Sequence, residues 1–538
     1  MLYGLPRIGL MQNEECNLGG LDQWQGGSSD TSVLLIEGPG VEIRLDGHLL
    51  NHLLLRFPKY PLHLLAANMS CFLGGQAPEV LDLKSLASSD ESGTHRHRIA
   101  YESRDMEFRE VGAADDIVAK RVKHVDVACL SCNYTMERTS AARLIRLIRD
   151  ENPGGLIVVG GHDATVAPLP YMLAGADLCV LGEGETVLGD ILNARNSDEL
   201  RQVRGLAYLT DTGVLKRNGK RPAHNLGALQ YPDPRLFLDK AAEYPDGPWP
   251  RGVGSNFMVV ETSRGCDQAC SFCSSTFVAG RFRSWCIKGM IAYLSRAIVA
   301  GVRTLLFADD NLLYRLLPQY GGQRGRNELI DFFHWLRSSG FSWTFYNGLQ
   351  FGLLEAEGKI DHELIDALFG SGQSDDGLIG CFEAYIPLER FDDEGRAKLT
   401  KLRANDIQRS ILECIAERKV HQLNLGFIIG EPNDSRATLD LFAEQSKALD
   451  DLIRRTSGHQ TRIRHLPWCS IPLPGTPNRS NFRSSIRYDL EIYPELHSNY
   501  VSVIKGNGLE PIDFTLGRLR LDETLNASLN ALASEYVV

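Results

Sequence analysis

The chain has 538 residues, 43% hydrophobic and 23% charged, and 57 Lys and Arg against 68 Asp and Glu leave a net charge of −11. That length calls for two or three domains with room to enclose a cofactor. The acidic balance, with no cluster of Lys and Arg, argues against nucleic acid as a partner, and no apolar run approaches the ~20 residues of a membrane span.

The first thirty residues lack a basic start followed by an apolar block, so they read as an extension (1–30) and a cytoplasmic location is expected. From residue 31 to 215, short apolar runs alternate with amphipathic stretches, the pattern of a parallel sheet covered by helices. Strands are predicted at Ser32–Glu37, Glu79–Leu83, Val125–Leu130, Leu156–Val159 and Asp177–Leu181, with helices at Pro61–Leu73 and Ser140–Asp150 between them. This is a doubly wound α/β unit. Its strand ends carry turn-forming residues, Gly38-Pro39-Gly40, Ser131-Cys132-Asn133, Gly160-Gly161-His162 and Gly182-Glu183-Gly184, on the edge where open α/β sheets bind ligands. No G-x-G-x-x-G follows the first strand, so a dinucleotide site is not expected. Residues from about 186 read as a helix, a small hairpin and then a linker (216–250) ending in Tyr-Pro-Asp-Gly-Pro-Trp-Pro.

Alternation resumes in 251–480. Strands at Asn256–Glu261, Thr304–Ala308, Trp343–Tyr346, Leu378–Phe382, Gln422–Ile429 and Arg464–Ile471 alternate with helices at Lys288–Ala300, Asn327–Ser338, His362–Phe369, Asn405–Glu417 and Ser435–Leu449. Six such repeats make a partial (β/α)6 barrel, whose chemistry belongs on loops at the carboxyl ends of its strands. The fold class is α/β throughout, closing with a small C-terminal segment, 481–538, that carries no chemical signature.

Twelve cysteines without a secretion signal point to reduced thiols or metal ligands. Cys266, Cys270 and Cys273 fall within eight residues on a Gly-led loop after the first barrel strand. Iron-sulfur clusters are held by thiolates, and three ligands leave one iron open. Structural zinc takes four ligands with paired short spacings; no matching pair lies nearby, and Cys286 is the one near candidate for a fourth. The pair Cys129-x-x-Cys132 suggests redox chemistry only superficially, since Cys129 belongs to a strand.

The loop resembles the hallmark of the radical S-adenosylmethionine superfamily, Cys-x3-Cys-x-aromatic-Cys, position by position at Cys266, Cys270, Phe272 and Cys273. The resemblance implies a 4Fe-4S cluster whose open iron holds S-adenosylmethionine, hydrogen abstraction by a deoxyadenosyl radical, and an external electron donor such as flavodoxin or ferredoxin. It places Asp309, Asp310 and Asn311 against the ligand's ammonium, and Glu383 on the ligand. It matches Gly426, Ile428 and Gly430 to the strand motif beneath the adenine, with Asp434 where the family usually has Glu. Pro474-Gly475-Thr476-Pro477 is similar to the end of the sixth strand.

Set before such a barrel, the first domain resembles the cobalamin-binding domains of the B12-dependent, methyltransferase branch. The matching pieces are Pro61–Ala67, Leu130-Ser131-Cys132, Gly160-Gly161-His162 and Gly182-Glu183-Gly184-Glu185. Asp46-Gly-His48-Leu-Leu-Asn51 echoes the cobalt-ligating histidine motif of other cobalamin proteins but ends in Asn. The expectation is therefore cobalt without a protein ligand, its lower face covered from a loop Val41–Tyr60, with Arg44, His48, His52 and Arg56 as candidates. The implied function is methylation of an unactivated carbon of a small biosynthetic intermediate; a rearrangement or ring-forming reaction with the same cofactors is the alternative. Tyr346, Asn347 and Tyr385 are expected to line the substrate pocket.

Overall fold

The structure, a computed structural model, describes residues 20–51, 59–86, 95–238, 250, 253, 256–347, 349–399 and 401–527. Five parallel strands, β1 (Val33–Glu37), β2 (Glu79–Asp82), β3 (Val127–Ser131), β4 (Leu156–Gly160) and β5 (Leu178–Val180), stand in the order β2-β1-β3-β4-β5. β1, β3, β4 and β5 are almost wholly apolar because both of their faces are buried. In register, Leu35, Cys129, Val158 and Leu178 face one core with helix Tyr60–Met69. Leu34, Ala128 and Ile157 face the other, with helix Arg138–Glu151. Leu21 and Trp24, placed by the sequence in the extension, join the first core, and the Trp24 indole donates to Ala194 O at 2.8 Å. The expected hairpin extends the same sheet: β6 (Leu206–Leu209) runs antiparallel to β5, and β7 (Leu215–Arg217) antiparallel to β6.

A second sheet was not expected. Strands His48–Leu49, Gly40–Leu45, Arg104–Val111 and Arg96–Tyr101 pair in that order, all antiparallel. Where the sequence suggested a loop, Val41, Ile43 and Leu45 alternate inward, and the chain reverses at Asp46 (φ 49°) and Gly47 (φ 85°). Both φ values are positive, as the tight hairpin turn favoured by Asp-Gly requires. His48 is therefore an exposed hairpin residue, and Arg44 pairs with Glu42 on the same strand at 3.2 Å. His52 and Arg56 lie outside the described residues.

The second domain is a half-closed barrel of parallel strands in sequence order: β8 (Phe257–Val260), β9 (Thr304–Phe307), β10 (Ser342–Phe345), β11 (Gly377–Glu389), β12 (Gln422–Ile429) and β13 (Arg462–Cys469). β11 is longer than predicted because Glu383–Glu389 continues the strand in parallel register with β12, while Ser371–Ser374 folds back antiparallel on its start. The outward edge of β13 has backbone groups to satisfy, and the C-terminal helix Pro511–Leu525 with the residue after it supplies partners. Asn526 accepts from His465 N and donates to His465 O, both at 2.8 Å, and Arg518 Nε donates to Pro467 O at 3.2 Å. The C-terminal segment also packs Leu496, Val501, Val503 and Ile504 under the four-stranded sheet, where the Tyr101 hydroxyl meets Ser502 O at 2.7 Å. Among the described residues no helix is long and apolar enough to cross a membrane.

Candidate functional site

The carboxyl ends of the parallel strands of both domains border one cavity of about 760 Å³, a size suited to a bound organic molecule. The first domain contributes Glu37, Ser131 and His162; the barrel contributes Tyr346, Glu383 and Arg464; the C-terminal segment contributes His497 to Tyr500 and Arg518. Tyr134 and Tyr346 keep 63% and 46% of their surfaces free, yet burial by surrounding protein raises both phenols above their ordinary value. Their bare surface faces enclosed space, where a ligand can cover it. Two lysines and two glutamates form the floor: Lys84 donates to Glu37 at 3.2 Å and Glu137 at 2.9 Å, and Lys59 lies 3.6 Å from Glu37.

The expected cobalamin residues divide. Ser131 lines the cavity. Gly161 needs its φ of 110°, and a Cβ there would sit 2.3 Å from Cys132 O, so the turn that presents His162 admits only glycine. The Cys132 thiol instead lies in the core, where the Tyr171 hydroxyl donates to it at 3.1 Å. Gly160 pairs with Ser131 at the end of β4, and Gly182 turns at φ 97°. Glu183 is taken up by arginines of the barrel, so it joins domains rather than lining the cavity. Cys129 is buried and inert, its thiol pushed up to about 12.

On the barrel side, Cys266, Cys270 and Cys273 are half-buried on one loop, and burial lifts Cys270 to about 11, so a metal binding there must displace protons. Three thiols on one loop are the donor set that three corners of a four-iron cube take, whereas structural zinc takes four ligands. Cys286 is exposed at the start of helix Ile287–Ala300.

The polar triplet after β9 holds the loop. Asp309 accepts from Thr262 N at 3.1 Å, Thr262 Oγ1 at 2.7 Å and Ser263 Oγ at 2.5 Å, while Asp310 accepts from Gly265 N at 2.7 Å. Asn311 bonds Gln350 across at 3.2 Å. Asp309 thus orients the cysteine loop from behind, a role its sequence position did not suggest. Glu383 lines the cavity and accepts from Thr344, Gln422 and Asn424 at 2.7 to 3.1 Å. Gly426 lies under Tyr385; a Cβ would fall 1.9 Å from its hydroxyl, which Trp468 Nε1 meets at 3.2 Å. Ile428 O accepts from Arg390 at 3.1 Å, and Gly430 N donates to Asp434 at 2.8 Å, so Asp434, paired with Arg390, closes that turn. The Phe272 ring carries the Lys401 ammonium 5.4 Å from its centre, and Lys401 pairs with Glu389. Tyr346, Asn347 and Tyr385 all line the cavity. Sequence reasoning missed Lys401, Tyr134 and Arg464, which are isolated polar or aromatic residues; Glu261-x-x-Arg264, flanking the cysteines, was a readable charge pair.

Residues 94–192 match the B12 binding domain family. An uncharacterized methyltransferase of Pyrococcus horikoshii is 25% identical over 358 residues, 63% of this chain and 69% of the relative. The chain spans only 52% and 23% of two further curated methyltransferases that it matches. The cobalamin-dependent S-adenosylmethionine radical enzyme OxsB, solved with aqua-cobalamin and S-adenosylmethionine, superposes with TM-score 0.63 at 13% identity, over 91% of this chain and 66% of that one. The radical S-adenosylmethionine methyltransferase TsrM of Kitasatospora setae, solved with cobalamin and a [4Fe-4S] cluster, gives 0.56 at 14% identity, over 91% and 81%. Residues 94–192 are thus similar to B12-binding domains, and the fold of the chain as a whole, this domain followed by a half-barrel bearing a three-cysteine loop, is the fold of the cobalamin-dependent radical S-adenosylmethionine enzymes OxsB and TsrM.

Proposed function

We propose that the chain is a cobalamin-dependent radical S-adenosylmethionine methyltransferase, placing a methyl group on an unactivated carbon of a small biosynthetic intermediate. The observation that carries the reading is the single cavity shared by the B12-binding sheet and the barrel's strand ends. Cys266, Cys270 and Cys273 would hold the 4Fe-4S cluster; Glu383, Gly426, Ile428 and Gly430 would border S-adenosylmethionine. Ser131 and the Gly160-Gly161-His162 turn would border cobalamin. When bound, these groups supply hydrogen abstraction and a methyl carrier. The protein's own part is to hold the loop through Asp309 and Asp310, to exclude water with the C-terminal segment, and to present Tyr346 and Arg464 to the substrate. An external donor such as flavodoxin or ferredoxin would reduce the cluster.

The test is anaerobic reconstitution with methyl-labelled S-adenosylmethionine. Label recovered with cobalamin, together with 5′-deoxyadenosine, supports methyl transfer. Deoxyadenosine with cobalamin unlabelled favours a rearrangement or ring-forming reaction, and protein that releases no deoxyadenosine overturns both.

A further inference from the structure

We propose that Arg264 is a positioning residue: with Glu183, Glu185 and Glu261 it clamps the cysteine loop to the B12-binding domain and so sets the separation of cluster and cobalt. The proposal rests on the functional reading above and adds a control on cofactor geometry. Arg264 stands two residues before Cys266. It grips Glu261 with a fork, Nε at 2.7 Å and Nη2 at 2.8 Å, and through Nη1 it reaches Glu185 at 2.7 Å and Glu183 at 3.2 Å. Its guanidinium lies 5.8 Å over the Trp285 ring, and only 12% of the side chain is exposed.

The reason this is more than a buried ion pair lies in the small ribbon that carries the loop. Ser263–Arg264 pairs antiparallel with Arg283–Ser284, which puts Arg264 directly opposite Arg283. Like charges opposite each other on a ribbon repel, so the ribbon is poorly stable on its own. Glu183, from the other domain, is the shared counter-ion: Arg283 meets it at 2.6 and 3.0 Å while Arg264 meets it at 3.2 Å. The ribbon is thus completed by a residue of the B12-binding domain, on the turn after β5 whose Gly182 N is fixed on Thr165 Oγ1 at 3.0 Å. From the ribbon the constraint passes to the cluster ligand. Gly265 (φ 84°) would carry a Cβ 2.4 Å from Arg281 O, its N–H is held by Asp310, and Cys266 N donates to Gly280 O at 3.0 Å. A fork that meets several carboxylates in fixed directions is what arginine offers and lysine does not. A displacement of about 1 Å between reacting groups costs on the order of 100-fold in rate, so such a clamp has a chemical purpose.

The test uses full-length protein loaded with both cofactors, with cob(II)alamin and the reduced cluster present together. Their through-space spin coupling is read by electron paramagnetic resonance, beside iron, sulfide and cobalt contents. Arg264→Gln is expected to retain both cofactors and to lose the wild-type coupling, broadened into a spread of weaker values; Arg264→Lys should recover only part of it. Glu185→Gln, which keeps both arginines and Glu183, should shift the coupling in the same direction by less. An Arg264→Gln protein that is fully loaded and gives the wild-type coupling overturns the proposal. Should that variant not hold its cluster, wild-type coupling in Glu185→Gln overturns it instead. Wild-type protein that binds the cluster but no cobalamin fails the functional reading itself, visibly as missing cobalt, and the clamp's purpose falls with it.

Discussion

The cysteine loop, which meets the cavity at Ser274, and the cavity's far wall are built by different physics. At the cysteine loop, position is set by charge and hydrogen bonding: Asp309 alone gathers donors from Thr262 and Ser263, and Arg264 gathers three carboxylates. At the far end, Tyr500 belongs to a stretch that packs Leu496, Val501, Val503 and Ile504 against the four-stranded sheet, and Arg518 to the helix that lies along β13. The cluster and ligand proposed for the loop would tolerate little displacement, so directional bonds suit it, whereas apolar packing at the far wall admits volume-conserving substitutions.

The largest break of this contrast is at the loop's chemistry. Cys266→Ala is expected to abolish cluster assembly and, with it, deoxyadenosine release, while leaving the melting of the first domain unchanged; iron and sulfide analysis beside calorimetry reads both. Next comes Asp309→Ala, which strands three buried donors of Thr262 and Ser263. A loss of about 3 to 5 kcal/mol in denaturant unfolding is expected, together with poor cluster retention. Asp309→Asn should recover part of the stability, since it still accepts.

The loop end should also carry a pH signature. Burial pushes the Glu261 carboxyl up from its ordinary 4.5 to about 7, because desolvation outweighs the pull of Arg264 and because Glu185 and Asp309 add negative charge nearby. Below about pH 4.5 the carboxyl is protonated whether the chain is folded or not. Between there and about 7 only the folded chain keeps the proton, so stability falls as pH rises through that window and levels off above it. Glu261→Gln should flatten that slope, removing a change of about 1 to 3 kcal/mol between pH 5 and 7.5. A variant that melts with the wild-type pH dependence excludes this assignment.

Legibility in the sequence followed the same divide. The cysteine triplet, the strand runs SVLLIE and LIVV, and the six barrel repeats were readable because each signal is local: a spacing, a period, a turn glycine. The four-stranded sheet was not. Its strands RHRIAY and RDMEFREV bury Tyr101, Met106 and Phe108 on one face but carry charges on the other, and the turn between them uses Glu102 and Ser103 at φ 48° and 66° with no glycine to announce it. Asp46-Gly47 is a readable hairpin signal between Val41, Ile43, Leu45 and His48, yet the sequence reading places it in a loop, Val41–Tyr60, over the lower face of an unligated cobalt. The partners of the C-terminal segment lie hundreds of positions away, such as Tyr101 on Ser502 and Thr515, and no local pattern encodes them.

The weaker predictions concern that far end. Tyr101→Phe removes hydroxyl contacts to Ser502 O at 2.7 Å and Thr515 Oγ1 at 2.8 Å, and about 1 kcal/mol of stability should go with them. The smallest effect is expected at His48. It sits exposed beside the Asp46-Gly47 turn, and the cavity wall nearby is made by Val41 and Asn51. Asn51 holds the strand to that wall, accepting from Ile43 N at 2.7 Å and donating to Val41 O at 2.8 Å. His48→Ala should therefore leave the affinity for cobalamin and the cobalt absorption spectrum unchanged. Asn51→Ala should loosen the wall and weaken cobalamin binding by about 1 kcal/mol or more, since it leaves a buried N–H and a buried carbonyl unpaired. The reverse outcome, a spectral change in His48→Ala with Asn51→Ala silent, would bring the histidine to the cobalt and put the hairpin in a different place from the one described.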